Sequence, residues 1–196
     1  IDNGSDMLQK INTETGETTD VCQLNISSSY PSLTFSRDNK LFASRGGTAL
    51  DIIDPCTCSV TAIGSYGGFS GVNGITSDQG IELFGVAVTQ DDLIAISTSV
   101  GLATSVGDLG LNFGATGATW SDEDDTLYSI DASSDALYTI DPDTGVASYI
   151  APVDMDFGTV GIELHPENGV IYACSSAANL LSVDKFTGQV TVIGPM

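Results

Sequence analysis

The sequence predicts an all-β protein, a β-propeller of about five four-stranded blades whose first blade is incomplete at the N-terminus. A repeat of 42 to 44 residues runs through the whole chain, and each repeat contains four short segments rich in β-branched and aromatic residues. No window shows the sustained apolar stripe of an amphipathic helix. Units of four strands that recur roughly every 40 to 45 residues are typical of propeller blades.

The repeat is clearest where the start of the chain matches its middle. Ile1–Gly16 aligns with Ile130–Gly145 over sixteen residues without a gap. The residue that closes the tight turn of each unit recurs at spacings of 42, 43, 44 and 43 residues. These residues are Gly16, Cys58, Gly101, Gly145 and Gly188. The predicted units of this single domain are approximately 1–29, which is partial, 30–72, 73–116, 117–160 and 161–196.

Each complete unit is predicted to contain four strands in a fixed order. The first strands lie around Leu33, Ile75, Trp120 and Ile162. The second strands contain the pairs Leu41-Phe42, Leu83-Phe84, Leu127-Tyr128 and Ile171-Tyr172. A third strand, a tight turn and a fourth strand follow. In that turn the Asp141 carboxylate is placed to accept a backbone hydrogen bond, and Gly145 can adopt a positive φ, so we interpret the recurring aspartates as turn formers.

The first unit lacks part of its blade. Ile1 aligns with Ile130, which ends a second strand, so the first strand and most of the second are missing. Half a blade exposes a sheet edge and part of the core. Three alternatives are open: the missing strands precede Ile1, they follow Met196, or a neighbouring copy donates them. The third arrangement is head-to-tail and would build a filament.

The charge of the chain excludes whole classes of partner. With 5 Lys and Arg against 26 Asp and Glu, the net charge is −21. Such a surface repels phosphate backbones, so we predict no nucleic-acid partner. The apolar runs are short and interrupted by Gly, Ser or Asp, so we also predict no membrane insertion. Cations, basic partners and neutral glycans remain compatible with this charge.

The cysteines and two sequons indicate an extracellular or cell-surface setting. Asn3-Gly4-Ser5 and Asn25-Ile26-Ser27 are glycosylation candidates. The disulfide candidates are Cys22, Cys56, Cys58 and Cys174. Cys22 stands where other units have glycine after the fourth strand, and Cys58 stands in the turn of the next unit. A bridge between them requires the outer edges of two blades to meet, and Cys56–Cys58 pairing is a strained alternative.

The sequence carries no catalytic motif, so we predict that the protein is not an enzyme and has no cofactor. The single histidine, His165, stands beside Pro166 in a predicted loop, and Cys174 is expected to be a small buried residue in a strand. Calcium is a weak alternative. Its candidate ligands are Asp122, Asp124, Asp154 and Asp156. These residues lack the spacing of a calcium-binding loop, so solvated loops are the simpler interpretation.

A phenylalanine recurs in the loops that connect successive units. Phe69, Phe113 and Phe157 are 44 residues apart, and a small residue follows each of them. In a propeller these loops gather near one mouth of the central channel. We interpret them mainly as packing between blades. The functional alternative is a repeated aromatic platform that binds a glycan.

One segment resembles a known superfamily. The third strand and turn of the fourth unit read LYTIDPDTG (Leu137–Gly145), and this motif resembles repeats of the YVTN-like and quinoprotein-like propeller superfamily. It looks especially like secreted propellers without an assigned activity. The resemblance covers the whole chain at the level of the repeat and implies the fold, not an activity. Trp120 lies in a different strand from the tryptophan usual in quinoprotein repeats, so the quinone cofactor is not implied.

These observations favour an extracellular, non-enzymatic structural or adhesive module. The incomplete blade predicts a partner, either a second copy or another extracellular protein, and completion by a copy would produce a self-assembled filament. A lectin that binds glycans through the phenylalanine loops is the alternative function. A propeller hydrolase or lyase is the third, less favoured interpretation.

Overall fold

The structure is a computed structural model that describes residues 1–78 and 83–196. All regular elements in this part of the chain are β-strands. They are β1 (Met7–Ile11), β2 (Thr18–Gln23), β3 (Ser32–Phe35), β4 (Leu41–Arg45), β5 (Ala49–Ile53), β6 (Val60–Ser65), β7 (Val72–Ser77), β8 (Leu83–Ala87), β9 (Asp92–Ile96), β10 (Ala103–Asp108), β11 (Thr116–Ser121), β12 (Thr126–Asp131), β13 (Ala136–Ile140), β14 (Ala147–Pro152), β15 (Val160–Leu164), β16 (Ile171–Ser175), β17 (Asn179–Val183) and β18 (Val190–Pro195). In these two ranges no helix is present that could cross a membrane.

The strands form four antiparallel four-stranded sheets and one two-stranded sheet. We name the complete sheets blade I (β3–β6), blade II (β7–β10), blade III (β11–β14) and blade IV (β15–β18), and the sheet β1–β2 the half blade. The prediction of an all-β propeller is confirmed. The blade count differs from the predicted five, because the structure contains four complete blades and the half blade.

The first strand of each complete blade lies at the centre of the molecule. In order around the centre, β3 contacts β7, β7 contacts β11, and β11 contacts β15. Glycines allow this close approach: a Cβ atom on Gly74 would lie 2.7 Å from the backbone nitrogen of Ala118, and one on Gly117 would lie 2.9 Å from that of Ile162. The four inner strands therefore pack with their backbones almost in contact.

Apolar side chains fill the spaces between adjacent blades. Separate buried clusters lie between blades I and II, II and III, and III and IV. A fourth cluster joins the half blade to blade I and includes Leu8, Leu24, Leu41 and Ile53. Among the described residues, no comparable cluster joins blade IV to the half blade. One interblade space is therefore left unfilled.

The outer rim is held by repeated glycine contacts. At four junctions a glycine meets a backbone carbonyl of the neighbouring unit. The pairs are Gly64 with Val100, Gly107 with Thr144, Gly188 with Pro152, and Gly194 with Thr15. A Cβ atom on any of these glycines would lie 2.0 to 2.3 Å from the carbonyl oxygen of its partner. The last pair places the turn of the half blade against blade IV, as the next unit around the ring.

A disulfide occupies the fifth junction. Cys22 of the half blade is bonded to Cys58 in the turn of blade I, with their Cα atoms 5.9 Å apart. Cys58 occupies a position that glycines hold at the other four junctions, and Cys22 occupies one that glycines hold at three of them. The outer edges of the two units do meet, as this bridge requires. Cys56, which is exposed, and Cys174, which is half-buried, are free thiols, so the Cys56–Cys58 alternative is wrong.

Candidate functional site

An open cleft lies between blade IV and blade I, on the inner side of the half blade. Its volume is about 590 Å³, and its walls include Ile11, Leu33, Glu163 and Cys174. We call this cleft the slot. It occupies the place where a complete fifth blade would have its first two strands.

The half blade corresponds to the third and fourth strands of a complete blade. Asp6 and Asp135 both adopt a positive φ, 55° and 46°, and Gly16 and Gly145 have φ values of 81° and 80°. Because the same unusual backbone angles recur at the aligned positions, β1 is equivalent to β13 and β2 to β14. Asp2 precedes β1 as Asp131 precedes β13, and therefore ends an otherwise missing second strand.

The inner edge of β1 is open. Asp2 and Met7 exchange two backbone hydrogen bonds, at 2.9 and 3.3 Å, as opposed residues of an antiparallel pair do. Alternate residues of an antiparallel strand turn their N–H and C=O groups to the same side. Gln9 and Ile11 therefore present these groups to the slot, and no strand in the described ranges pairs with that edge.

The exposed fraction of the Ile11 side chain shows the effect of the absent strands. Its equivalents in the complete blades are Ile53, Ile96, Ile140 and Val183. Those four side chains are only 1 to 4% exposed, whereas Ile11 is 41% exposed. The second strand that covers the equivalent residue in every complete blade has no counterpart within residues 1–78 and 83–196, so the apolar side chain of Ile11 faces solvent.

The facing wall of the slot is a blade surface of the same kind. Tyr172 of β16 is half-buried, whereas its equivalents Phe42, Phe84 and Tyr128 are 2 to 5% exposed against the next blade. The neighbouring Cys174 thiol is also half-buried and donates a hydrogen bond to the Gly161 carbonyl at 3.6 Å. Blade IV therefore presents to the slot the face that the other blades bury.

Glu163 is the one acidic side chain on this wall. It projects from β15, is exposed to the slot, and forms no hydrogen bond with any described side chain. Protein surrounds the carboxyl group on most sides although water still reaches it, and this partial desolvation raises its pKa to about 8. Its equivalents in blades I, II and III are the buried Thr34, Thr76 and Thr119.

A buried polar cluster supports the opposite wall. The Asp51 carboxylate is fully buried, accepts a hydrogen bond from the Tyr30 hydroxyl at 2.8 Å, and lies 3.3 Å from Nε of Arg45. Burial, and then the hydrogen bond to Asp51, raise the pKa of Tyr30 far above that of a free tyrosine. The Tyr30 N–H donates to the side-chain oxygen of Asn3 at 2.9 Å. This contact fixes the half blade to the loop that borders the slot.

The three phenylalanines of the predicted glycan platform do not form an accessible surface. Phe113 and Phe157 are 5% and 0% exposed within the interblade cores, and Phe69 packs partly buried against the core between blades I and II. The Phe113 ring lies 4.9 Å from that of Tyr138. The lectin alternative stays a prediction, and this burial lends it no support.

The four acidic calcium candidates lie apart in two pairs. Asp124 accepts hydrogen bonds from Ser121 and Lys185, and chiefly the Lys185 bond lowers its pKa. Asp122 lies 3.8 Å from the Arg37 guanidinium. Asp154 and Asp156 accept backbone N–H groups of Val190 and Gly158, both at 2.9 Å. Within residues 1–78 and 83–196, no three His, Cys, Asp or Glu side chains are close enough to hold a metal ion.

The remaining candidates lie on the surface. Asn3 and Asn25 are both exposed. The Asn3 amide donates to the Tyr30 carbonyl at 3.4 Å, and the Asn25 side-chain oxygen accepts the N–H of Val60 at 2.9 Å. His165 accepts the N–H of Glu167 at 3.2 Å, in the loop where it was expected. Glycosylation at either asparagine remains a prediction.

Two features of the slot escaped the sequence analysis. Glu163 could have been found by aligning the inner strands, because the other three units have threonine at its position. The Asp51 cluster carries a weaker signal, a carboxylate at a strand position where other units have Ile94, Tyr138 or Leu181. Neither pattern would indicate a binding site without the geometry of the slot.

Comparison with known proteins gives the fold alone. No protein-family model matches the chain, and no curated protein matches it. A structural genomics protein of unknown function from Bacteroides thetaiotaomicron matches with a TM-score of 0.69 and 16% identity, over 98% of this chain and 56% of the other. Virginiamycin B lyase from Staphylococcus aureus matches with a TM-score of 0.59 and 15% identity, over 96% of this chain and 62% of the lyase.

A nidogen/laminin complex contains a third similar chain. It matches with a TM-score of 0.62 and 12% identity, over 91% of this chain and 67% of that one. This chain therefore spans between 56 and 67% of the length of these three solved chains. At such low identity, the similarity shows that the chain has a β-propeller fold of the kind found in these proteins.

Proposed function

We propose that this chain is an extracellular, non-enzymatic structural module whose slot accepts two extended strands supplied from outside residues 1–196. The observation that carries this proposal is Ile11, 41% exposed where its four equivalents are 4% exposed or less. A strand added beside β1 would satisfy the backbone groups of Gln9 and Ile11, and a second strand would cover Tyr172. Strand addition of this kind is a common mode of peptide recognition.

The two strands are better sought outside residues 1–196 than within a second copy of these residues. Each of the strands β1–β18 is already paired within its own sheet. A second copy would have to take two strands out of a complete blade, and its own ring would then open. An extended segment outside these residues, whether it belongs to the same polypeptide or to another extracellular protein, has no such cost. Filaments of this chain alone are therefore an outcome that the experiment below must separate.

The covalent chemistry of the chain supports this setting. A disulfide such as Cys22–Cys58 forms and persists in oxidising compartments, which include the extracellular space. The net charge of −21 keeps such a protein soluble and directs it towards cationic partners. Both properties fit a module that meets its partner outside the cell.

The test uses a strand pair taken from the chain itself. Residues 116–129 contain the first strand of blade III and most of the second, and they directly precede Ile130, the equivalent of Ile1. A synthetic peptide of this sequence, in which the hairpin acids Asp122, Glu123, Asp124 and Asp125 are replaced by their amides to avoid repulsion by a chain of charge −21, is expected to bind in isothermal titration calorimetry. Amide hydrogen exchange at Gln9 and Ile11 is expected to slow on binding, because these amides become paired. Unchanged exchange at both amides would overturn the proposal.

A fusion of residues 116–129 directly before Ile1 is the matched control. The fused strands are expected to occupy the slot, so this variant should reject the free peptide and remain monomeric. Sedimentation velocity of the unfused chain separates the two sources of partner. Discrete monomers agree with strands supplied from outside residues 1–196, whereas concentration-dependent filaments that the fusion abolishes would overturn that choice in favour of a second copy.

A further inference from the structure

Glu163 stands where the other blades place a buried threonine. Thr34, Thr76 and Thr119 are each 3% exposed or less, and each lies on the inner strand of its blade. Glu163 holds the same position in blade IV, but its carboxylate is exposed because no inner strand follows it. The inner strand that borders the slot is therefore the one that carries a charged residue in place of threonine.

The contacts of the equivalent side chains show what Glu163 would meet. The Thr119 hydroxyl accepts the backbone N–H of Leu164, at 2.8 Å, from the next inner strand. Two junctions earlier, between blades I and II, the Ser32 hydroxyl accepts the N–H of Ile75 from the next inner strand at 3.0 Å. Side chains on this face thus contact the inner strand of the following blade. For Glu163, that strand is the inner one of whatever fills the slot.

A strand in this place removes water from the carboxylate. A buried carboxylate without a partner is strongly unfavourable, whereas a carboxylate paired with a cation and well hydrogen-bonded is tolerated. No ion pair links Glu163 to a cationic group in the part of the chain that the structure describes. A cationic group on the inserted strand would keep Glu163 ionised against this desolvation, which otherwise favours the protonated carboxyl group.

We infer that the slot selects a basic strand, in which a lysine or arginine of the inserted inner strand pairs with Glu163. This inference rests on the proposed strand addition and names the chemistry of the partner. Because Thr119 lies level with Leu164 of the next inner strand, the basic residue belongs at the position that Leu164 holds in blade IV and Trp120 holds in blade III. The charge of −21 on the chain favours the same cationic partner.

Two variants of the peptide 116–129 test the inference. Trp120→Lys places an ammonium group beside Glu163, and Trp120→Leu places there the residue that blade IV has. The lysine peptide is expected to bind the chain about tenfold more tightly than the leucine peptide, as measured by calorimetry at physiological salt. In the Glu163→Gln variant, the two peptides are expected to bind with equal affinity.

The outcomes separate this inference from the proposed function. Equal binding of both peptides to the parent chain, with slowed exchange at Gln9 and Ile11, would overturn the inference and leave strand addition standing. Absence of binding by either peptide would overturn both. The Glu163→Thr variant, which copies the other blades, is expected to bind the leucine peptide more tightly than the parent chain does. A thermal midpoint equal to that of the parent establishes that each variant is folded.

Discussion

Space, rather than backbone conformation, explains three glycines of the outer rim. Gly64, Gly107 and Gly194 are absent from the residues with positive φ, so other residues could adopt their backbone angles. A Cβ atom on Gly107 would nevertheless lie 2.0 Å from the Thr144 carbonyl oxygen. These residues hold adjacent units together by allowing backbone to contact backbone.

Gly107→Ala is therefore expected to destabilise the protein. The added methyl group would force blades II and III apart, and the free energy of unfolding should fall by about 1–3 kcal/mol, as overpacking usually costs. Urea denaturation measures this change. Gly4→Ala is the control, because a Cβ there meets only the flexible Asp2 side chain at 3.3 Å. Equal stability of the Gly107→Ala variant and the parent would contradict this account of the rim.

The disulfide at the equivalent junction provides a second residue-level prediction. Replacing Cys22 and Cys58 by alanine removes a bridge with a sequence separation of 36 residues. We expect a loss of about 3–4 kcal/mol in the free energy of unfolding, because the unfolded chain becomes freer. Thermal or urea unfolding under non-reducing conditions measures it.

A glycine pair at the same positions is the matched comparison. Cys58 has a φ of 55°, which favours glycine over alanine by about 1 kcal/mol. The double glycine variant should therefore be more stable than the double alanine variant, although both lack the bridge. If the double alanine variant were the more stable one, the preference for glycine at the other junctions would not apply to this junction.

At the scale of the element, the tight turn between the third and fourth strands is a conserved device within the chain. Asp54, Asp141 and Asp184 each accept the backbone N–H two residues on, at 2.8 to 2.9 Å. These hydrogen bonds lower the pKa of all three carboxyl groups. Asn12 accepts the equivalent bond at 2.8 Å without a charge.

Acid should therefore weaken these three turns. A carboxyl group whose pKa is lower in the folded state stabilises the fold above its unfolded pKa, near 3.9, and loses that contribution as the pH falls through its folded pKa. The triple variant Asp54→Asn, Asp141→Asn, Asp184→Asn keeps the acceptor oxygen. Its thermal midpoint is expected to fall less than that of the parent between about pH 5 and about pH 3.

The control for this prediction removes the same number of charges elsewhere. Glu14, Glu17 and Glu167 lie exposed in turns and loops. A triple Glu→Gln variant at these positions should retain the acid sensitivity that the turn variant loses. If both triple variants flatten the pH dependence equally, general charge repulsion rather than the turn hydrogen bonds is responsible.

At the scale of the whole molecule, charge repulsion opposes folding. A net charge of −21 on 196 residues means that like charges come together when the chain becomes compact. Sodium chloride screens this repulsion, so the thermal midpoint should rise by a few degrees between low and physiological salt. Differential scanning fluorimetry measures the shift, and a midpoint that falls with salt would contradict it.

The ring of blades could be predicted from the sequence because each blade corresponds to one repeat. Glycine turns at spacings of 42 to 44 residues are visible in sequence because backbone geometry demands them. Cys22 and Cys58 stand at positions where the repeat usually has glycine, and this placement made a bridge between them one of the open alternatives. The burial of Phe113 and Phe157 was not decided by spacing, since a repeated aromatic suits a core and a binding surface equally. The exposure of Glu163 could not be predicted from the sequence, because it depends on the open space beside β15 in the folded ring.

The two junctions of the half blade differ in kind, and this difference gives the ring a direction of opening. On one side, the chain itself and the Cys22–Cys58 bond tie β2 to blade I. On the other side, the half blade meets blade IV through the non-covalent contact of Thr15 with Gly194. A force that pulls blades I and IV apart would therefore separate the half blade from blade IV at Gly194 first. The disulfide would keep the half blade attached to blade I.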